Sequence, residues 1–149
     1  MIKAVIFDWG LTLWDNTTND LFADSRETLE HLKVKGYRMA VLSVSPQDRF
    51  DEKYSIIAQS GIAPYFEKVL VSVKKEEEEI DAINSIWNLP YKDIAIVGDR
   101  VVREVAIANK LGMVSIWVKR GIFANEFPTP ETGGPTFIIS TISELKSIL

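Results

Sequence analysis

The stretch MIKAVIFDWGLTLW, residues 1–14, is the strongest indication of the fold of this chain. Its apolar run Ile2–Phe7 predicts a strand that is buried on both faces of a sheet. The run ends on Asp8, and a turn containing Gly10 and Thr12 follows. A carboxylate in this place is either a turn residue or a functional group. The choice depends on which residues follow the other strands of the chain.

The rest of the chain alternates short apolar runs with helical patterns. Further strands are predicted at residues 37–43, 66–73, 94–97, 114–118 and 137–139, and helices at 19–35, 49–60, 76–87, 101–111 and 142–149. This alternation predicts a three-layer α/β/α Rossmann-like fold with a five- to six-stranded, mainly parallel sheet. Ligands of such sheets bind beyond the carboxyl ends of the strands. The polar residues at those ends are Asp8, Ser43, Lys74 or Lys75, and Asp99.

Composition narrows the classes of function open to this chain. Its 149 residues suit one domain spanning residues 1–149, with no internal linker. The formal net charge of −4 does not favour nucleic-acid binding. No cysteine and a single histidine, His31, rule out thiol catalysis and thiolate or histidine-based metal sites. No apolar run approaches the ~20 residues of a membrane span, so we expect a cytoplasmic protein without membrane contact.

Phosphoryl chemistry is one role open to the residues that end the first three strands. Asp8 can attack phosphorus as a covalent nucleophile, which splits one hard displacement into two easier steps. The Ser43 hydroxyl and nearby backbone N–H groups could hold phosphate oxygens, although serine also forms ordinary turns. The ammonium group of Lys74 or Lys75 suits a phosphate. The other of these two lysines would belong to a solvated helix end.

Asp99 and Glu104 are the candidate metal-site residues after the strand predicted at 94–97. Carboxylate oxygens suit Mg²⁺, which keeps several waters and bridges to phosphate oxygens. A helix N-cap is the simpler role for Asp99. Glu104 would lie one turn into the following helix and could reach the same site through water or Lys74.

Taken together and in this order, these residues resemble the motifs of the haloacid dehalogenase-like (HAD) hydrolases over nearly the whole chain. The resemblance implies that Asp8 is the nucleophile and that Ser43 binds phosphate. It implies that Lys74, or Lys75 in the alternative register, serves as the lysine of the third motif. Thr12 matches the threonine that helps to order the first loop, and it is a candidate substrate-binding residue.

The same resemblance implies a Mg²⁺ site. Gly98-Asp99, with Glu104 five residues on, matches the fourth motif, in which Asp99 would hold the ion beside Asp8. The backbone carbonyl of Gly10 would complete the metal site, and Glu104 would act behind it.

The intervals between the motifs are short, which implies a member without a lid domain. One helix and one strand fill the interval from Asp8 to Ser43, and a second pair fills the interval from Ser43 to Lys74. The chain in this respect resembles the small magnesium-dependent phosphatases. An open site excludes water poorly, so a large substrate, a partner or a homo-oligomer can serve as lid. We expect the entrance near residues 13–20 and 121–135, and a phosphorylated small molecule or macromolecule as partner.

Gly10 departs from the family pattern, because HAD phosphatases carry a second aspartate there. In those phosphatases the side chain of this aspartate protonates the leaving group and then activates water. Losing such a general acid/base typically costs ~10²–10⁴-fold in rate. Three interpretations remain. In the first, the chain is a phosphohydrolase that favours good leaving groups, with Asp15 or Asp20 as a substitute acid. In the second it cleaves a phosphonate or haloacid, and in the third it is a non-catalytic domain that binds metal or a phosphorylated partner. Trp9 flanks the site and is predicted to touch the substrate.

Overall fold

Six parallel strands form the central sheet in a computed structural model that describes residues 1–149. In chain order the strands are β1 (Ala4–Phe7), β2 (Trp14–Asp15), β3 (Asp20–Leu21), β4 (Arg38–Val44), β5 (Lys68–Ser72), β6 (Ile94–Gly98), β7 (Val114–Val118) and β8 (Phe137–Ile139). The sheet has the order β5-β4-β1-β6-β7-β8, while β2 and β3 form a small separate hairpin. The predicted Rossmann-like fold with a six-stranded parallel sheet is confirmed.

Five helices cover the two faces of the sheet. They are α1 (Ser25–Val34), α2 (Phe50–Gln59), α3 (Glu77–Asn84), α4 (Ala106–Leu111) and α5 (Leu145–Ile148). Side chains alternate along β1, so Val5 and Phe7 pack with α1, α2 and α5 in one apolar cluster. Ala4 and Ile6 pack with α3 and α4 in a second cluster on the opposite face. Strand β1 lies between β4 and β6, so its carboxyl end is at the middle of the sheet edge.

Two helices differ most from their predicted extents. The first begins at Ser25 rather than residue 19, because residues 14–21 form the β2–β3 hairpin, with Asn19 at a positive φ of 53° in its turn. The helix predicted at 101–111 begins as a π-helical turn, Val101–Val105, and continues as α4. That wider turn carries the Glu104 side chain inward, where it is 1% exposed.

No domain is inserted between the strands that carry the motifs, as predicted. A single helix, α1, and the hairpin separate β1 from β4, and α2 separates β4 from β5. None of the helices has the length and apolar character needed to cross a membrane.

Candidate active site

The predicted residues meet at the carboxyl edge of the sheet. Asp8, Ser43 and Asp99 line one pocket of about 160 Å³, together with Gly10. The backbone N–H of Asp8 donates to the carbonyl of Val97 at 2.8 Å, which fixes the end of β1 against β6. Parallel strands that end side by side thus place these side chains around one small space.

Lys75 is the buried cation of this site. Its Nζ lies 2.6 Å from Asp8 Oδ1 and 2.5 Å from Glu104 Oε1, and its side chain is 1% exposed. Burial alone would lower the pKa of Lys75, but the two carboxylates raise it above its usual value. In turn burial alone would raise the pKa of Asp8, but the Lys75 ammonium holds that pKa below its usual value. Asp8 is therefore ionised, which is the state that its predicted role as a nucleophile requires.

Lys74 lies outside the site. Its Nζ pairs with Glu76 at 3.2 Å and Glu78 at 3.3 Å, and its side chain is 39% exposed. Consecutive residues after the end of β5 point in different directions, so only one of the two lysines can face the pocket. Between the two registers left open by the sequence, the structure places Lys75 against Asp8 and gives Lys74 a surface role.

Three carboxylates form the acidic part of the site. One oxygen each of Asp8, Asp99 and Glu104 lies within 4.8 Å of the others. Burial and then the Asp8 carboxylate raise the pKa of Asp99 to about 8. Burial likewise raises the pKa of Glu104. Such crowding of oxygen ligands is relieved by a divalent cation, and the donor set fits Mg²⁺.

Gly98 is required by this cluster. A Cβ at residue 98 would lie 2.2 Å from Cγ of Glu104, so any side chain there would displace the glutamate. Glu104 also accepts a hydrogen bond from the backbone N–H of Arg100 at 3.3 Å. The absence of a side chain at Gly98 therefore leaves the space that Glu104 occupies near Asp99.

The loop after β1 is held by residues from two other segments. Thr12 is buried and does not line the pocket, so the structure corrects its prediction as a substrate-binding residue; its hydroxyl donates to Asp8 Oδ2 at 3.4 Å. Arg120, which sequence reasoning missed, donates from Nη2 to the Thr12 carbonyl at 2.6 Å and from Nε to the Leu11 carbonyl at 3.3 Å. Its guanidinium also lies 3.5 Å from the centre of the Phe22 ring. These contacts hold Leu11 at a positive φ of 60° beside Gly10.

The structure corrects the prediction for Trp9. The Trp9 side chain is 1% exposed and belongs to the apolar core with Phe7. It stacks on Trp14 with ring centroids 5.6 Å apart. The alternation of β1 continues past its end, so residue 9 points to the core face while Asp8 points to the pocket. The indole therefore cannot contact a substrate in the pocket.

The structure also corrects the prediction for Asp15. Its Oδ1 accepts hydrogen bonds from the backbone N–H of Thr17 at 2.9 Å and from the Thr17 hydroxyl at 2.7 Å. These bonds hold the pKa of Asp15 below its usual value, which is the wrong direction for a general acid. Asp15 does not line the pocket, whereas its neighbour Asn16 does.

Asn16 and Phe123 line the mouth of the pocket, in the two segments where the entrance was predicted. Arg100 lies 3.8 Å from the centre of the Phe123 ring and donates to Glu126 at 3.0 and 3.2 Å. The loop after β7 thus packs against the start of the turn that carries Glu104. Two further basic residues, Lys53 and Arg103, also line the pocket. No motif in the sequence singles them out.

Solved structures share this fold. An uncharacterized protein from Listeria monocytogenes superimposes with a TM-score of 0.81 at 20% identity, over 99% of this chain and 96% of that one. The putative HAD hydrolase YfnB from Bacillus subtilis, solved bound to magnesium, gives 0.71 at 18% identity, over 87% and 56% of the two chains. These likenesses show that the chain shares the fold of solved haloacid dehalogenase-like hydrolases.

Sequence comparison defines the family more narrowly. The profile of the family described as mitochondrial PGP phosphatase matches residues 1–123, and the chain belongs to that family. The glyceraldehyde 3-phosphate phosphatase of Pyrococcus furiosus is 27% identical over 131 residues, which are 84% of this chain and 52% of that protein. The chain thus spans about half the length of the curated relatives that it matches.

Proposed function

We propose that this chain is a Mg²⁺-dependent phosphohydrolase that acts through an aspartyl-phosphate on Asp8. The observation that carries the proposal is the buried contact of Lys75 with Asp8 and Glu104, at 2.6 and 2.5 Å. It keeps Asp8 ionised at the floor of a pocket that also contains Ser43 and Asp99. The family of the chain and the phosphatase names of its curated relatives support the same reaction.

The acidic cluster fits the Mg²⁺ that this reaction needs. Asp8, Asp99 and the backbone carbonyl of Gly10 would hold the ion, with Glu104 positioned behind them. When bound, the ion offsets the repulsion between the phosphate and the Asp8 carboxylate and polarises the phosphate oxygens. A structural relative bound to magnesium is consistent with this assignment.

The chain's own residues would then divide the reaction into two displacements. Asp8 attacks phosphorus, and the bond from phosphorus to the leaving oxygen breaks. Ser43 and Lys75 hold the phosphoryl oxygens while charge moves onto the leaving group. Water then attacks the same phosphorus, which releases inorganic phosphate, a proton and the Asp8 carboxylate.

Gly10 determines which leaving groups suit this mechanism. No carboxyl group stands at residue 10, and Asp15 is bonded elsewhere with a lowered pKa. The leaving oxygen must therefore depart without a proton from these residues. Acyl and aryl phosphates, whose leaving groups are weak bases, are the substrates that suit such a site. A phosphorylated small molecule or macromolecule of this kind is the proposed substrate class.

Gly10 also favours a second candidate function. A domain that keeps Asp8, Lys75 and Asp99 but lacks the acid/base side chain can bind Mg²⁺ and a phosphorylated partner without turning it over. A phosphatase assay with p-nitrophenyl phosphate, with and without Mg²⁺, separates the two. Turnover that needs Mg²⁺ supports the enzyme, and no turnover in either condition supports the binding domain.

We expect Gly10→Asp to raise the turnover of alkyl phosphates more than that of aryl phosphates. A general acid is typically worth ~10²–10⁴-fold, and it matters most where the leaving group is a strong base. The new Cβ would meet the Asn16 amide at 3.2 Å, and this exposed side chain can shift. The ratio of kcat for ethyl phosphate to kcat for p-nitrophenyl phosphate, compared between variant and wild type, measures the effect.

Gly10→Asn is the matched control, because it adds the same bulk without a proton to give. The ratio should stay at the wild-type value in this variant. Equal gains on both substrates in Gly10→Asp would argue against a missing general acid.

We also expect Mg²⁺ to bind more tightly at pH 9 than at pH 6. Burial raises the pKa of Asp99 to about 8, so below this pH the ion must displace a proton. For the same reason the metal-free protein should lose stability as the pH rises from the usual carboxyl range through about 8. Calorimetric titration with Mg²⁺ and thermal unfolding across pH measure the two effects. Asp99→Asn should flatten the pH dependence of metal-free unfolding, and an unchanged slope in this variant would assign it to another group.

A further inference from the structure

Lys53 lies in the pocket without a partner. It is carried by α2, the helix that follows Ser43, and it lines the pocket together with Ser43 and Asp8. The side chain is partly buried, and none of the ion pairs of the structure includes it. A partly buried ammonium group without a counter-charge is unfavourable. An anion in the pocket would remove this cost.

The charges around Lys53 point to the same conclusion. Burial lowers the pKa of Lys53, Asp8 raises it, Lys75 lowers it, and Glu52 on its own helix raises it. The nearby carboxylate of Asp8 is already bonded to Lys75 at 2.6 Å. Lys53 therefore lines the same pocket as Asp8, yet it is not the ion-pair partner of that carboxylate.

The formal charges around the pocket leave a bound phosphate dianion without a counter-charge unless Lys53 or Arg103 supplies it. With a divalent cation bound, the charges of Asp8, Asp99 and Glu104 are balanced by that ion and by Lys75. Arg100 is paired with Glu126 at 3.0 Å. A phosphate dianion would then bring two negative charges that none of these groups balances. Lys53 and Arg103 are the remaining cations of the pocket.

Lys53 is the better placed of the two for the transferred group. It lies on the Ser43 side of the pocket, where the phosphate oxygens are proposed to bind, and it is partly buried. Arg103 is exposed and also borders a neighbouring groove of about 540 Å³ that leads away towards residues 130–133.

We propose that Lys53 is a further phosphoryl-binding residue, whose ammonium group contacts the oxygens of the transferred phosphate beside Ser43. The proposal rests on the proposed phosphate site at Asp8. It assigns Lys53 to the group that all substrates share, and not to the leaving group that distinguishes them. Lys53 should therefore affect every phosphate ester alike.

Titration with inorganic phosphate and with Mg²⁺ alone tests the proposal without relying on catalysis. Lys53→Met should weaken phosphate binding in saturating Mg²⁺ by roughly 10- to 100-fold, the range for one charge-assisted hydrogen bond. The same variant should bind Mg²⁺ as tightly as wild type or more tightly, because a positive charge near three carboxylates is removed. Lys53→Arg should recover most of the phosphate affinity. Lys68→Met, which removes an exposed lysine at the opposite end of the sheet, should change neither affinity.

Opposite effects on the two ligands are the signature of an anion-binding residue. If Lys53→Met weakens phosphate and Mg²⁺ together, the residue is structural and the proposal is wrong. Unchanged phosphate affinity, or a wild-type protein that binds no phosphate, overturns it as well.

Kinetics supply a second test with a matched pair of substrates, phenyl phosphate and 3-carboxyphenyl phosphate. The loss of kcat/KM in Lys53→Met should be the same for both. A loss confined to the carboxylated ester would assign Lys53 to the leaving group and overturn the proposal. The proposed function fails separately, when the wild type binds Mg²⁺ and phosphate but hydrolyses neither ester.

Discussion

Asp8→Asn is expected to reduce the Mg²⁺-dependent hydrolysis of p-nitrophenyl phosphate by at least about 10³-fold, since it removes the nucleophile itself. An amide oxygen is too weak a nucleophile to form the acyl phosphate. The variant should remain folded, because Lys75 keeps its contact with Glu104 at 2.5 Å. Steady-state kinetics with a purified variant, alongside thermal unfolding, measure both expectations.

Asp51→Asn is the control for this change, since Asp51 is an exposed carboxylate of α2 that does not line the pocket. It should retain wild-type activity. If Asp8→Asn kept more than about a tenth of the wild-type rate, the nucleophile would have to be another residue.

Lys75→Met is expected to abolish activity and to destabilise the fold by about 3–5 kcal/mol. The change leaves the carboxylates of Asp8 and Glu104 without their shared cation in a buried site. Burial already raises the pKa of Glu104, and without Lys75 it should rise further. The variant should therefore be most stable at acidic pH, where these carboxyls are protonated, and should lose stability as the pH rises through their pKa values. Denaturant unfolding at acidic and neutral pH gives the free energies.

Lys74→Met provides the comparison, because it removes a neighbouring lysine that pairs only with Glu76 and Glu78 at the surface. We expect little change in stability or activity. Similar effects of the two substitutions on activity and stability would mean that the buried contacts of Lys75 contribute no more than the surface pairs of Lys74.

The sheet and most of the site could be predicted because buried parallel strands are apolar along their length. The runs at Ile2–Phe7 and Ile94–Val97 need no tertiary information to be recognised. Their polar end residues, Asp8 and Asp99, then meet because adjacent parallel strands end at the same edge. Gly98 could be recognised because it precedes Asp99 in the fourth motif. The structure gives the physical reason for this glycine, since a side chain there would displace Glu104.

The sequence could not predict features that depend on the exact direction of a side chain. The sequence does not show which of Lys74 and Lys75 faces Asp8, because this depends on the path of the chain after β5. Trp9 follows Asp8 directly, which predicts a place beside the site, but the alternation of side chains turns it into the core. The hairpin at residues 14–21 has too short a pattern to be distinguished from the start of a helix.

Other contributors come from segments remote in the sequence. Arg120 follows β7, yet it holds the carbonyls of Leu11 and Thr12. Lys53 looks like an ordinary surface residue of α2 until the helix is packed beside Ser43. Such roles depend on tertiary packing, and a single sequence carries no separate signal for them.

Trapping phosphate on Asp8 tests the proposed aspartyl-phosphate intermediate directly. Wild-type protein is mixed with p-nitrophenyl phosphate and Mg²⁺, quenched in acid within the first turnover, and digested for peptide mass spectrometry. Because Gly10 supplies no base to activate water, the second step should be slow and the acyl phosphate should accumulate. We predict phosphate on the peptide containing Asp8, attached to that residue, and a burst of nitrophenolate approaching one per chain. Turnover with no phosphate on Asp8, or with phosphate on another residue, would show that Asp8 is not the nucleophile.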